Sequence, residues 1–287
     1  MCNPPSNKWT WIVFTDLDGT LLDGDSYSFA AAHEALSFLA DKSIDVIPCT
    51  SKTYREVAGI RQQIGLKSPF IVENGSALFI PDGYFHTLPL ELEQIDDYSV
   101  LQLGKTYSEI LQALEHIKSE FSLKAKGFKE MDLAEISAKT GLPMAEAEVA
   151  KDRHFSEPFV LEKGSGLSDE VYAYAMEHGL RILKGNRFYH LIGDTDKGQA
   201  VIAAVQIYKL QNEQEVRSIG IGDSMNDLEM LKSVHIPVQV RKKDGSFAPG
   251  MDMKDLLCTK GIGPEGWQEA VFQILGPMFK TKETTNV

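Results

Sequence analysis

Apolar positions along the chain fall into two alternating patterns, short continuous runs and longer stretches with helical spacing. Trp9 to Thr15 (WTWIVFT) is a continuous β-rich run that ends in acids and glycine, as expected of a strand buried on both faces. From Phe29 to Lys42, Ala32, Ala35, Leu36 and Leu39 recur on one side of a helix. A second strand is expected over Ile44 to Cys49, a second helix over Thr53 to Ile64, and a third strand from Phe70 to Val72. Strand, helix, strand, helix, strand predicts a parallel sheet with right-handed crossovers.

The alternation returns near the carboxyl end. Lys197 to Gln211 is an expected helix, followed by a strand over Val216 to Ile221 and a helix over Met225 to Lys232. A short strand at Ile236 to Val240 and a helix from Glu265 to Leu275 close the pattern, and the polar tail Thr281 to Val287 is expected to fray. Between about residues 83 and 190 the pattern changes. Helical stretches (Thr106 to Phe121, Met131 to Thr140, Ser168 to His178) alternate there with strand-like pieces at Glu157 to Glu162, Arg181 to Lys184 and Phe188 to Ile192. The fold class this predicts is α/β: a doubly wound parallel-sheet core of residues 1–82 and 191–287, with an inserted α+β domain over residues 83–190.

A length of 287 residues fits one large domain or two modest ones, and 43% hydrophobic with 24% charged residues is ordinary globular composition. The net charge of −12 argues against partners that are polyanions, so neither nucleic acid nor an anionic membrane surface is expected. No apolar run reaches the length of a transmembrane helix. Met1 to Lys8 has no apolar core of the kind a secretory signal needs. Cys2, Cys49 and Cys258 are sparse, odd in number and without metal-ligand spacing, which favours a reducing, cytoplasmic setting.

Chemistry concentrates where strands end. Asp16-Leu17-Asp18-Gly19-Thr20 follows the first strand directly, the position at which open α/β sheets bind ligands. Asp16 can act as a nucleophile through a covalent acyl-phosphate, and Asp18 can exchange a proton with the leaving oxygen and with water. Gly222-Asp223-Ser224-Met225-Asn226-Asp227 follows another strand. Asp223 and Asp227 are hard oxygen donors suited to Mg²⁺, with Ser224 and Asn226 as supporting groups. Thr50 and Ser51, after the second strand, can donate a hydroxyl and N–H groups to phosphate oxygens. Lys197, opening a helix, can place an ammonium beside a phosphoryl group.

In this order, Asp16 to Thr20, Thr50, Lys197 and Gly222 to Asp227, the motifs resemble those of the haloacid dehalogenase superfamily of aspartate-nucleophile phosphatases. The resemblance implies Asp16 as nucleophile, Asp18 as acid/base, and Mg²⁺ held by Asp16, Asp223 and the backbone carbonyl of Asp18. It also implies that the insert is a substrate-specificity cap. Within the superfamily the chain is most similar to the mannosyl-3-phosphoglycerate phosphatase family. The residues that carry this are Cys49 to Thr53, Glu73-Asn74-Gly75, Arg153 to Phe159, Arg187 to His190, and Gly263-Pro264-Glu265-Gly266-Trp267. That likeness implies a substrate in which phosphate and carboxylate accompany a hexose, a phosphoglycerate-linked sugar phosphate. Lys52 and Arg187 are candidate anion partners, and Ser156 and Glu157 candidate partners of sugar hydroxyls, with Glu73, Asn74 and Asn226 also facing substrate.

Plainer roles compete with these. Asp-x-Asp-Gly occurs in turns and calcium loops, Thr50 could merely cap the next helix, and Glu73-Asn74-Gly75 could be a turn built on Asn-Gly. Glu157 and Arg187 could pair with each other, His154 and His190 could be packed histidines, and Trp267 could be core. At the level of function, a glucosyl-3-phosphoglycerate or general sugar-phosphate phosphatase, a phosphomutase and a non-catalytic sugar-phosphate sensor are the alternatives. Oligomeric state leaves no mark in the sequence.

Overall fold

A computed structural model describes residues 9–88, 92–185, 187–211 and 214–279. Cys2, the Met1 to Lys8 segment and the Thr281 to Val287 tail, on which expectations were placed, lie outside the described residues. Strand β1 (Trp9–Thr15) leads to α1 (His33–Asp41), β2 (Asp45–Pro48), α2 (Tyr54–Ile64), β3 (Phe70–Val72) and β4 (Ala77–Pro81). Next come β5 (Glu93–Ile95), β6 (Tyr98–Gln102), α3 (Tyr107–Glu120), β7 (Ala125–Gly127), α4 (Leu133–Thr140), α5 (Met144–Lys151) and β8 (Ser156–Leu161). After α6 (Asp169–Glu177), β9 (Leu180–Lys184), β10 (Tyr189–Gly193) and α7 (Lys197–Gln211) follow β11 (Glu215–Gly222) and α8 (Leu228–Lys232). The chain then forms β12 (Ile236–Arg241), β13 (Leu257–Ile262) and α9 (Gly263–Phe279).

Two compact units result: Met1–Cys49, Phe85–Leu88 and Val201–Val287 form the first, Thr50–Tyr84 and Pro89–Ala200 the second. The first unit is built on a five-stranded sheet in the order β13-β12-β11-β1-β2, with parallel pairing throughout. β1 lies between β11 and β2, and from Trp11 to Thr15 every residue is buried, as both-face coverage requires. Helix α9 packs against α1, β12 and β13, burying Trp267, Ala270, Val271 and Leu275.

The second unit holds two antiparallel sheets, ordered β3-β4-β6-β5 and β7-β8-β10-β9. In β8 the period of two divides the side chains between separate cores. Phe159 joins Ile110, Leu114, Ile117, Val171 and Leu191, so that α3 and α6 cover its side of the sheet. Val160 instead packs with Phe128, Met131, Ile136 and Ala147 on the side of α4 and α5. Capping boxes start α2 (Thr53 with Glu56), α3 (Thr106 with Glu109) and α4 (Asp132 with Glu135), which is why these helices begin where they do.

One expectation is corrected. Phe70–Val72 does not extend the parallel sheet as its third strand; it pairs antiparallel with β4, Phe70 opposite Phe79 and Val72 opposite Ala77. The Glu73–Gly75 turn reverses the chain within three residues, and so short a connection makes β3 and β4 antiparallel neighbours. The expected division into 1–82, 83–190 and 191–287 concerns which part serves as a cap and remains a proposal. Among the described residues no helix is long and apolar enough to cross a membrane.

Phe159 is fully buried in the cluster it forms with α3 and α6. Phe159→Ala should therefore cost about 3–5 kcal/mol of stability, measured by urea unfolding. A loss below about 1 kcal/mol would mean that this cluster does not carry the unit.

Candidate active site

The parallel register of β1 and β11 is what brings the two acidic motifs together. Thr15 lies opposite Ile221, and the Asp16 N–H still donates to the Ile221 carbonyl at 2.9 Å, so Asp16 and Asp223 leave neighbouring strands at the same end. Asp16, Asp223 and Asp227 are all buried, and one carboxylate oxygen from each lies within 4.8 Å of the others. Asp18 contributes no side-chain oxygen to that group. It begins a tight loop in which Gly19 takes φ +79° and the N–H groups of Thr20 and Leu22 both donate to the Leu17 carbonyl, at 3.1 and 2.8 Å. Buried Leu17, Leu21 and Leu22 anchor the loop that carries the acids.

Two supports fix these carboxylates. The Thr15 hydroxyl donates to the Asp16 carbonyl at 2.7 Å and accepts the Trp267 indole N–H at 3.0 Å. Trp267 is thus core, as its plainer reading held, and also the far end of a chain that steadies the Asp16 peptide. Asp227 Oδ2 accepts the N–H groups of Asp223 and Ser224 at 3.1 and 3.0 Å, closing the loop on itself, while the Ser224 hydroxyl donates to Asn226 Oδ1. Gly222 leaves the space for this: a Cβ there would lie 2.6 Å from Asp227 Cβ and Cγ.

Two unit charges about 5 Å apart repel by about 3 kcal/mol at an effective dielectric constant of about 20, so three buried carboxylates need a counter-charge. The donors are all hard oxygens, with no histidine or cysteine among them, a set that fits Mg²⁺ rather than a softer metal.

The remaining candidates belong to the second unit. Thr50 does not cap α2, because Thr53 fills that place; the Thr50 hydroxyl instead accepts the Lys52 N–H at 3.3 Å. Residues 50–52 are laced to the Glu73–Gly75 turn, with Glu73 N–H donating to the Lys52 carbonyl at 3.0 Å and Asn74 N–H to the Thr50 carbonyl at 2.9 Å. Lys52 is buried, 3.7 Å from the Glu56 carboxylate. The turn is strained: Glu73, Asn74 and Gly75 have φ of 48°, 60° and 93°. A non-glycine residue there costs about 1 kcal/mol.

The Glu73 carboxylate is fully buried and accepts from Ser156 Oγ at 2.6 Å, His154 N–H at 2.9 Å, Phe155 N–H at 3.2 Å and Arg153 Nε at 3.3 Å. Arg153 Nη2 donates to the Ser51 carbonyl at 2.6 Å. Neighbouring Glu157, also fully buried, accepts the Tyr107 hydroxyl at 2.7 Å and the Lys129 N–H at 2.8 Å. Burial raises the Glu157 carboxyl against the opposing pull of the Lys129 N–H, Tyr107 and Arg153. Burial, then Glu157, pushes the Tyr107 phenol well above its ordinary range. The suggested Glu157–Arg187 pair does not form. The exposed Arg187 donates to the Thr140 carbonyl, because Glu157 points at α3 and the 127–130 turn.

Lys197, almost entirely buried, is the first residue of α7. Asp196 caps the helix by accepting the Gln199 N–H at 2.9 Å, and Arg181 grips Asp196 at 3.0 Å. Gly75 abuts this helix start. Arg153, Tyr107, Asp196 and His190 were not among the assigned site residues. Only Arg153 and His190 had a signal, as members of motifs that carried the resemblance. Burial and the Arg153 guanidinium pull the His190 imidazole down to about 3, and its Nδ1 has no hydrogen-bond partner among the described residues.

Comparison with known proteins gives a consistent set of likenesses. The profile of haloacid dehalogenase-like hydrolases matches residues 13–245. A glucosyl-3-phosphoglycerate/mannosyl-3-phosphoglycerate phosphatase of Methanococcoides burtonii is 41% identical over 265 residues, 92% of this chain and 97% of that relative. A mannosyl-3-phosphoglycerate phosphatase of Pyrococcus furiosus is 36% identical over 225 residues, 78% and 88% of the two chains. Among solved structures, a phosphatase of the haloalkanoate enzyme superfamily from Bacteroides thetaiotaomicron superimposes with a TM-score of 0.64 at 16% identity, covering 96% of this chain and 98% of that one. The sucrose-phosphatase of Synechocystis superimposes with a TM-score of 0.59 at 15% identity, covering 92% and 98%. At such identities the two structures speak for the fold.

A divalent cation should raise the melting temperature, since saturation at about 100 times Kd adds about 2.7 kcal/mol. In Asp223→Asn the cation-free protein should melt higher than wild type and the response to cation should shrink; an unchanged response would exclude Asp223 as a ligand. His190 yields a pH prediction. Its depressed value means that stability is fully present above about pH 6.5 and is lost as pH falls toward 3, with a slope of up to about 1.4 kcal/mol per pH unit. Comparing the acid limbs of wild type and His190→Gln isolates that slope, and identical limbs would refute it.

Proposed function

The chain belongs to the haloacid dehalogenase-like hydrolases, and we propose that it is a phosphatase that converts mannosyl-3-phosphoglycerate to mannosylglycerate and phosphate through an aspartyl-phosphate. The observation that carries the chemistry is the burial of Asp16 against Asp223 and Asp227 at the ends of adjacent strands. The relatives' names, at 36% and 41% identity, support the substrate class, a small carboxylated sugar phosphate. Because one relative is named for both sugars, activity on glucosyl-3-phosphoglycerate is the second reading. A cytoplasmic role in making a compatible solute belongs to the same proposal.

In this reading Asp16 attacks phosphorus in line, forming the acyl-phosphate bond as the ester P–O bond breaks, and Asp18 gives its proton to the departing glycerate oxygen. Asp18 then takes a proton from water, whose oxygen attacks phosphorus and restores the Asp16 carboxylate. The Thr15 and Trp267 chain keeps the Asp16 backbone fixed during both steps, so that no reorganisation is needed at the moment of attack. Asp16, Asp223 and Asp227, with the Asp18 carbonyl, would hold Mg²⁺, which supplies positive charge against the phosphoryl oxygens. Thr50 and Lys197 have the role of phosphate ligands. Lys52 and Arg187 are assigned to the carboxylate end of the substrate. Residues 83–190 serve as the cap that selects it.

Phosphate release should be Mg²⁺-dependent, strongest with mannosyl-3-phosphoglycerate or its glucosyl counterpart, and weak with simple hexose phosphates. Comparable release from hexose phosphates would remove the substrate assignment and leave the chemistry. Asp16→Asn should lower kcat by at least about a thousandfold while circular dichroism stays unchanged. Retained activity would sink the nucleophile assignment.

A further inference from the structure

We propose that Glu73 is a positioning residue that sets Lys197 through the Glu73–Gly75 turn, rather than a ligand of the substrate. The proposal rests on the phosphatase reading only for the role of Lys197. Four protein donors already reach the Glu73 carboxylate. Its Oε1 takes the His154 N–H, and its Oε2 takes Arg153 Nε, the Phe155 N–H and the Ser156 hydroxyl, all with the carboxylate fully buried. A carboxylate so engaged is not offered to a sugar hydroxyl.

What this grip does is hold the turn in a backbone conformation it would otherwise leave. Glu73 and Asn74 both lie at positive φ, and the turn is bonded on one side to the carbonyls of Lys52 and Thr50. Arg153, the partner of Glu73, reaches the same loop through the Ser51 carbonyl, so three segments close on one ion pair.

The other side of the turn meets α7. A Cβ on Gly75 would lie 2.2 Å from the Asp196 carbonyl oxygen and 2.6 Å from the Lys197 nitrogen, so the Gly75 backbone rests directly against the peptide from which Lys197 projects. The Thr195 hydroxyl donates to the Gly75 carbonyl at 3.0 Å, joining the residues before Lys197 to the same turn. Backbone resting on backbone transmits displacement with little slack, unlike contact through a flexible side chain. Relaxing Glu73 should therefore shift the start of α7 and the ammonium that Lys197 carries.

The test is Glu73→Gln in the full chain, read three ways. Backbone hydrogen exchange over residues 195–200 should quicken by at least about tenfold, because loss of the carboxylate frees the turn. With Mg²⁺ present, kcat should fall by the same factor, at least about tenfold, on p-nitrophenyl phosphate and on mannosyl-3-phosphoglycerate, with KM for either changing less than about threefold. In a Lys197→Ala background Glu73→Gln should cause no further loss of kcat. A loss confined to the sugar substrate would make Glu73 a substrate ligand and overturn the proposal, as would unchanged exchange over 195–200 or losses that multiply in the double variant. If wild type cleaves the aryl phosphate but not the sugar phosphates, the substrate assignment fails while the proposal is decided on the aryl substrate. If wild type cleaves neither, the phosphatase reading fails, and exchange alone decides whether Glu73 governs the start of α7. Should Glu73→Gln not fold, Ser156→Ala removes the 2.6 Å bond while leaving the carboxylate, and should reproduce each effect in the same direction at smaller size.

Discussion

Three carboxylates with oxygens inside 4.8 Å of one another repel, and the first unit is arranged to hold them there nonetheless. The means is backbone. The Asp16 N–H is still bonded to Ile221 as the chain leaves β1, and the Asp223 N–H to Asp227 as it leaves β11, so the peptides that carry both acids are held in place. A parallel sheet is suited to this because its strands end side by side, and acids at two adjacent ends must share one place. Repulsion of this kind favours a small, highly charged cation at such a site.

Around that constraint lies apolar support. Leu17, Leu21 and Leu22 bury the flanks of the acidic loop, and Trp267 is brought from the far end of the sequence to Thr15 by the packing of α9 on the sheet. The second unit solves a different problem. Its strained 73–75 turn is stabilised by a buried ion pair and the N–H groups of residues 154 and 155. Removing one partner of such a pair leaves the other charged and buried, which makes this region sensitive to single substitutions.

Much of this was legible along the chain. The continuous run at Trp9 to Thr15, the helical spacing of Lys197 to Gln211, and acids placed directly after strands are local patterns, and the structure has β1, α7 and the buried triad in those places. The strand at Phe70 was equally visible, but its partner was not. Its antiparallel partner β4 follows at once through the Asn74-Gly75 turn, a connection too short for a parallel crossover. Short elements such as α5 and β13 left too little periodicity to be seen at all. In α5 only Ala147 and Ala150 are buried.

Sequence by itself therefore determined the chemistry available: which acids follow which strands, which lysine opens which helix, and the family to which those motifs belong. Side-chain type and local spacing are enough for that, because strand ends and helix starts are local events. Only the tertiary structure decided what each polar group is occupied with. Glu73, Ser156 and Glu157 looked free to meet a sugar, yet each is buried and hydrogen-bonded to protein groups 3 to 83 residues away in sequence, as where Ser156 donates to Glu73. Such pairings depend on which segments the fold brings together, a long-range property that no window of sequence contains.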